Sequence, residues 1–401
     1  MPLPARFATL ALLLAAGCTH AGDPVARVRV SFDRHGETSV RTDGLADIAA
    51  RRAVSADDPA RIASISKLVT TIGAMRLLEA GKLTLDADVS DLLGFSLRNP
   101  AFPQVPITLR MLLSHTSSLT DSAGYWNVPL GDDIRIITNK PDAWDSQHPP
   151  GTFFRYTNLN FPLVAQTMER ATGERFDRLM RRLVLFPMQL DACFNWSGCS
   201  HAALARAVVL YDEKSTPQKD DLRGKAPACA VIAARDGSCD LSRWRPGENG
   251  TLFSPQGGLR ISARDLARIG RMLLGDGELD GVRILQPASV ALLATPVWQY
   301  NGNNGVIGEE DEPNRGGFFC AYGLAVQHLA RGDGKQCRDD LFADGRTRMG
   351  HSGNAYGLLS GLWIDRAAGT GVAYFSTGVA NDSGGAHSNF SATEEQGAAG
   401  W

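Results

Sequence analysis

Val28, Val30 and Phe32 alternate with Arg27, Arg29 and Ser31 near the start of the chain. That two-residue period marks a strand with one buried face. Arg34-His35-Gly36 reads as a turn, with a second strand following through Val40. From Ile65 the period lengthens. Ile65, Leu68, Val69, Ile72, Met75 and Leu78 fall on one helical face, and Gly81 stands where a C-terminal cap is expected. Residues 83–190 predict helices and loops punctuated by Pro103, Pro106, Pro149, Pro150 and Gly151, with helices over 160–170 and 176–183. Helical spacing returns from Ser262 to Leu274, with Ser262 as the N-cap. Gly357–Ile364 and Val372–Thr377 read as two antiparallel strands joined through residues 365–370. There is no internal repeat. The plan is an α/β fold: a central antiparallel sheet formed by N- and C-terminal strands and flanked by helices, plus an all-helical lobe.

The chain has 401 residues, 43% hydrophobic and 21% charged, with 42 Gly and 20 Pro. Such a composition excludes a disordered, collagen-like or coiled-coil protein. Its length suits one large domain of mixed layers or two intimate ones. Lys plus Arg number 41 against 43 Asp plus Glu, giving a formal charge of -2. A near-neutral chain without a basic stripe gives no reason to expect nucleic acid as a partner. Lys is scarce among the basic residues, so a Lys at a chemically suggestive position is informative.

Residues 1–17 hold one Arg, an apolar run from Phe7 to Ala16, and then Gly17 ahead of Cys18. The run is too short for a permanent membrane helix and has the three-part layout of a secretory signal. Leu14-Ala15-Ala16-Gly17-Cys18 resembles a bacterial lipobox, in which Cys18 would carry the lipid. Cleavage after Ala21 is the alternative. Both readings predict export, and the first predicts a periplasmic lipoprotein touching the membrane only through its lipid. Cys193, Cys199, Cys229, Cys239, Cys320 and Cys337 remain. An even number in an exported chain points to disulfides, and proximity favours Cys193–Cys199, Cys229–Cys239 and Cys320–Cys337. A zinc site is the competing use, but no C-x-x-C or H-E-x-x-H spacing occurs. Neither metal nor cofactor is expected. The stretch 191–252, with four of these cysteines, reads as a loop-rich insertion.

Ser64-Ile65-Ser66-Lys67 opens the first strong helix. Lys three positions after Ser puts an amine and a hydroxyl on one face, a turn apart. The helix N-terminus favours developing negative charge, and a desolvated Lys can accept a proton. Such a pair suits a serine acyl-transfer enzyme without a His–Asp dyad. In the competing reading Ser64 is only an N-cap and Lys67 a solvated surface residue. No other Lys in the chain has a Ser three residues before it.

Tyr156-Thr157-Asn158 follows Pro149-Pro150-Gly151 and a Phe pair. A phenol beside an ammonium can shuttle protons, and an Asn next to it can bond both the Lys and a substrate amide. Tyr125-Trp126-Asn127 has the same spacing, so only the setting of Tyr156, between a Pro-Gly turn and an apolar helix, separates the two. His351-Ser352-Gly353 precedes the strand from Gly357. A cationic or hydrogen-bonding side chain on an edge strand, followed by small residues, leaves room for a substrate backbone alongside. The N–H after Gly353 would join that of Ser64 as an oxyanion donor. A chymotrypsin-type triad using His115 is the rival. The chain has no G-x-S-x-G elbow, and His115 reads as structural.

Taken in this order, the three boxes resemble those of the penicillin-recognising serine hydrolases: class C β-lactamases, DD-peptidases and related esterases. The resemblance runs over residues 28–380. It takes in Ile62–Lys67, Leu77–Asp86, Thr108–Ser117 with Ser118 where Gly is usual, Thr172-Gly173, Phe186-Pro187-Met188 and Gly257-Gly258-Leu259. Carried over by position, Ser64 would be the nucleophile, Lys67 its activating amine, Tyr156 the general acid/base and Asn158 a substrate-amide contact. His351, Ser352 and Gly353 occupy the third box, and the N–H groups of Ser64 and Asn354 would form the oxyanion hole.

The resemblance implies a monomeric, exported serine hydrolase acting through a Ser64 acyl-enzyme. Its substrate would be a small molecule or of peptidoglycan type, such as a D-amino-acid peptide or ester. A class C-type β-lactamase is one alternative; a catalytically silent, lipid-tethered cell-wall peptide-binding protein is another. Three departures stand out. His351 replaces the Lys of class C β-lactamases, as in some DD-carboxypeptidases, aminopeptidases and esterases. The stretch 191–252 has no clear counterpart and is a candidate lid, its cover over the site being left open by the sequence. The polar tail 381–401 stands where the family packs a C-terminal helix, and residues 391–396 make a poor substitute for one.

Overall fold

Alternation at the N-terminus folds as β1 (Ala26–Asp33), in which every second residue from Ala26 is buried. The computed structural model describes residues 23–308, 316–380 and 384–401. The signal-like segment with Cys18 lies outside the described residues. β2 (Glu37–Asp47) runs beyond Val40, and the short β3 (Arg52–Ala53) and β4 (Ala60–Arg61) lead into α1 (Ile65–Glu79). The middle of the chain supplies α2 (Asn160–Thr172), α3 (Phe176–Met180), β5 (Cys193–Phe194), β6 (Leu259–Ile261) and α4 (Ala263–Leu274). Toward the C-terminus come β7 (Trp298–Gln299), β8 (Ala321–Tyr322) and β9 (Gln327–Leu329). They are followed by β10 (Arg348–Ala355), β11 (Leu358–Asp365), β12 (Thr370–Thr377) and α5 (Ala392–Ala399).

One nine-stranded sheet has the order β7-β8-β9-β10-β11-β12-β1-β2-β3, antiparallel throughout. Ala26 of β1 lies opposite Thr377 on one side and Gly44 on the other, so the two ends of the chain meet at its centre. α4 lies across β1, β11 and β12, on the face that presents Val28, Val30, Phe32, Leu362 and Phe375. Ser262 caps it, its Oγ accepting from the Asp265 N–H at 3.0 Å.

The opposite face carries Trp363, Val372 and Tyr374 beneath Phe390 and Ala398. Ala398 belongs to α5, which corrects the expectation of a tail without a serviceable helix. Its signal is a capping box: Ser391 Oγ accepts from the Glu394 N–H at 3.2 Å, and Glu394 accepts from the Ser391 N–H at 2.9 Å. Glu395 in turn accepts from the main-chain N–H groups of Ala386, His387 and Ser388. The polar residues of the tail bind one another and its backbone, leaving Phe390, Gly397 and Ala398 to meet the sheet.

In the helical lobe α1 is buried on almost every side through Met75, Lys67 included. A one-sided apolar face understates this because the intervening positions are small hydroxyls that satisfy themselves. Ser66 donates to Ala63 O, Thr70 to Pro255 O and Thr71 to Lys67 O. The stretch 191–252 is woven into the core more deeply than its loops and cysteines implied. β5 pairs with β6, and Val208 and Leu210 join the main core. Disulfides join Cys193 to Cys199, Cys229 to Cys239 and Cys320 to Cys337, as proximity predicted.

Candidate active site

Ser64 sits at the start of α1, half-exposed, after a residue (Ala63) held at a φ of 49°. Its side chain makes no capping bond. Lys67, fully buried one turn later, donates from Nζ to Ser64 Oγ at 2.9 Å, to Asn158 Oδ1 at 2.8 Å and to the Gln256 carbonyl at 3.1 Å. Three acceptors match the three N–H bonds of an ammonium. The surface-lysine reading of S-x-x-K is therefore excluded by burial.

Asn158 is oriented from behind. Asp121 accepts from its N–H at 2.8 Å, from its Nδ2 at 3.0 Å and from the Leu159 N–H at 2.9 Å. With Nδ2 committed to a carboxylate, Oδ1 is turned toward Lys67. Burial pushes the Asp121 carboxyl up, while the Asn158 and Leu159 N–H groups and the Lys67 charge oppose that. Tyr156 is packed between the rings of Phe319 (4.7 Å, stacked) and His115 (4.4 Å), and Lys67 Nζ lies 4.8 Å from its ring centre.

His115 takes the structural part expected of it. Its Nδ1 accepts from the Thr157 N–H at 3.0 Å, which fixes the backbone between Tyr156 and Asn158. Burial, and after it the charge of Lys67, drives its pKa well below that of a free histidine. Ser118 has φ 62°, the left-handed conformation glycine adopts most readily, and its Oγ accepts from Asn99 at 2.9 Å.

The third box does not merely precede a strand; it lies within one. His351, Ser352, Gly353 and Asn354 belong to β10, paired with β11 through Ala355. β9 covers the other side of β10 only as far as Gly350, so the edge from His351 onward is open. Gly353 is required by proximity: a Cβ there would come 2.4 Å from Ile62 O and 2.5 Å from Ser360 Oγ. The absent side chain lets β10 run against the segment that presents Ser64, with Asn354 next in line.

Of the two parts open to His351, cationic or hydrogen-bonding, the structure favours the second. Its Nε2 lies 2.8 Å from the Tyr322 hydroxyl and its Nδ1 2.5 Å from Ser352 O. A carbonyl needs a donor, so Nδ1 carries the proton and Nε2 accepts from the phenol. Burial, followed by the Lys67 charge, depresses its pKa to about 3. It is a neutral wall of the site, not a cation.

Sequence reasoning missed Asp121, Gln256 and Tyr322. Asp121 stands in no recognisable spacing, and Gln256 acts through its carbonyl, which carries no residue signature. Beside the Gln256 main chain opens a cleft of about 650 Å³ lined by Arg61, Tyr125, Tyr356 and residues of 195–232. The stretch 191–252 thus forms a side wall and leaves Ser64 half-exposed instead of lidding it. Among the described residues, no group of three His, Cys, Asp or Glu could hold a metal, and no helix is long and apolar enough to cross a membrane.

A terminal-strand sheet, a helical lobe and a Ser–Lys pair in the seam between them define a β-lactamase/transpeptidase-like fold. The chain belongs to the beta-lactamase family, whose family model matches residues 15–394. It is 27% identical over 252 residues to penicillin-binding protein 4 of Amycolatopsis lactamdurans, covering 61% of this chain and 58% of that protein. It is 29% identical over 183 residues to esterase EstB of Burkholderia gladioli, covering 40% of this chain and 44% of the esterase. The chain thus spans about half the length of these relatives, 58% of the first and 44% of the second. The class C β-lactamase of Rhodobacter sphaeroides superposes with TM-score 0.63 at 18% identity, over 90% of this chain and 92% of that one. The D-amino acid amidase of Ochrobactrum anthropi SV3 superposes with TM-score 0.58 at 21% identity, over 88% and 86%. At such identities the structures establish the fold.

Proposed function

We propose that this protein is an exported serine hydrolase that cleaves amide or ester bonds, of D-amino-acid type, through an acyl-enzyme on Ser64. The observation that carries the reading is the buried Lys67 Nζ bonded at once to Ser64 Oγ and to an Asn158 oriented by Asp121. In its amine form Lys67 takes the Ser64 proton as Oγ attacks the substrate carbonyl. The oxyanion that forms is held by the N–H groups of Ser64 and Asn354. Tyr156 passes a proton to the leaving amine or alcohol as the scissile bond breaks, leaving the acyl group on Ser64. Water then attacks the ester, its proton taken by the same groups, and Ser64 is restored.

The relatives named penicillin-binding protein and esterase, and the structural neighbour named D-amino acid amidase, support this substrate range. Neutral His351 brings no charge to the third box, which weighs toward peptidase or esterase chemistry over β-lactam turnover. The signal-like start supports export, and Cys18 is the proposed lipid site; labelled palmitate retained by wild type and lost in Cys18→Ala tests it.

The hydrolase reading is tested by intact mass spectrometry after incubation with a labelled penicillin and with a fluorophosphonate. The expected result is an adduct mapping to Ser64 with either probe. Absence of both adducts on folded protein overturns it and leaves a binding protein. Rapid release of penicilloate would move the substrate assignment to β-lactams.

A further inference from the structure

Beside the nucleophile two arginines occupy partner positions on neighbouring strands, Arg61 on β4 and Arg260 on β6, and both line the 650 Å³ cleft. Their surroundings differ. Arg260 is fully engaged: Asp220 accepts from Nε and Nη2 at 3.1 and 2.9 Å, and Nη1 donates to Gly258 O and to Asn195. Arg61 is 9% exposed and has no carboxylate within ion-pair distance among the described residues. Its Nε donates to the Gly257 carbonyl at 2.7 Å, and its guanidinium lies 4.7 Å from the ring centre of Tyr356, on the turn between β10 and β11. Lys219 lies 5.4 Å from the same ring.

A buried arginine is normally matched by an anion, because its cation costs several kcal/mol to desolvate alone. Burial, then the Arg260 charge, lowers the pKa of Arg61, with Tyr356 and Asp220 offsetting only part of that. The charged groups facing the cleft are Arg61, Lys219 and Arg260 against Asp220 and Asp221, and Asp220 is committed to Arg260. One guanidinium is left over. It stands one peptide from the reacting centre: Gln256 O holds Lys67 and Gly257 O holds Arg61.

We infer that Arg61 is a specificity residue, binding a carboxylate at the far end of the acyl group while Ser64 attacks its carbonyl. Apolar surface of Tyr356, Trp126 and Ile232 in the same cleft would cover the linker between the two ends. The inference rests on the hydrolase reading and adds to it the chemistry of the preferred acyl donor.

The test uses two p-nitrophenyl esters, the hemiadipate with a free carboxylate and its neutral methyl ester, with spontaneous hydrolysis subtracted. A charge-assisted hydrogen bond corresponds to a preference of about 10- to 100-fold. Wild-type kcat/KM is expected to favour the hemiadipate by that factor. Arg61→Lys keeps part of the preference. Arg61→Met, which keeps the aliphatic stem, abolishes it and leaves the neutral ester little affected. A wild-type ratio at or below one overturns the inference even if no variant folds; so does an unchanged ratio in folded Arg61→Met. Saturation-transfer NMR with monomethyl and dimethyl adipate separates failure of the arginine site from failure of the hydrolase. Carboxylate-selective binding without turnover of either ester keeps the arginine site and removes the hydrolase. Equal binding and equal turnover keep the hydrolase and remove the site.

Discussion

Tyr156-Thr157-Asn158 and Tyr125-Trp126-Asn127 share a spacing and differ in what surrounds them. In the first, Thr157 is fully buried, donating from Oγ1 to Leu119 O while its N–H meets His115. Asp121 holds both N–H and amide of Asn158, and two rings clamp Tyr156. In the second, Tyr125 leans edge-on against a Trp126 that is 63% exposed, and Asn127 points into solvent. Tyr125 still reaches the cleft wall, where burial and then Asp121 push its phenol above the ordinary range. The spacing is common to both. What distinguishes them is that the first asparagine, its Nδ2 held by Asp121, turns its Oδ1 in one direction to accept from Lys67.

The largest loss is expected at the ammonium that Asn158 faces. Lys67→Ala is expected to lower ester hydrolysis by about 10²–10⁴-fold, the range for general-base assistance. Retention of more than about a tenth of the wild-type rate would refute Lys67 as the proton carrier. A smaller effect separates the two tripeptides directly. Asn158→Ala should reduce kcat/KM by about 10- to 100-fold, as for loss of a hydrogen bond to a charged group, with Asn127→Ala unchanged. Equal losses would show that spacing alone had carried the chemistry.

The smallest effect lies in pH. His351 is held at about 3 and His115 well below its usual value, both by burial. The unfolded chain takes up these protons near pH 6.5 and the folded chain does not, so their contribution to stability is complete above 6.5 and declines toward pH 3. Glu169, pushed up to about 7 by burial, acts in the opposite sense, losing stability as pH rises through that value. The readout is therefore a difference: the slope of Tm against pH between 4 and 6.5 should be less positive in His351→Gln than in wild type. Identical slopes would place the histidine's titration elsewhere.

Much of this fold was legible. β1 and α4 follow from period, since each buries one face, while α1, β11 and β12 follow from apolar runs that the structure buries on nearly every side. β10 carries no strand signal because only Met349 and Ala355 of its eight residues are apolar and two of the others are glycines. Those glycines have steric causes far along the chain: a Cβ at Gly350 would lie 1.8 Å from Leu362 O, as one at Gly353 would strike Ile62 O. α5 was discounted for its polarity, although its polar residues are the cap that starts it. Within the site, side chains that act in a fixed spacing were found. Asp121 and Tyr322 were not, since each acts across a contact that only the folded chain makes.

The sheet's topology also sets an order in time. Ala26 pairs with Thr377, so a chain emerging from its N-terminus leaves one edge of β1 open until almost the whole sequence exists. The disulfides span only 6, 10 and 17 residues, so once the chain meets an oxidising compartment they close within local loops without waiting for that pairing. Pairing between chain ends is slow, and an unpaired edge invites aggregation while it waits. A nascent chain halted short of β10 would hold Ser64 and Lys67 but lack the strand that completes their surroundings. For this polypeptide, the site is among the last things synthesis delivers.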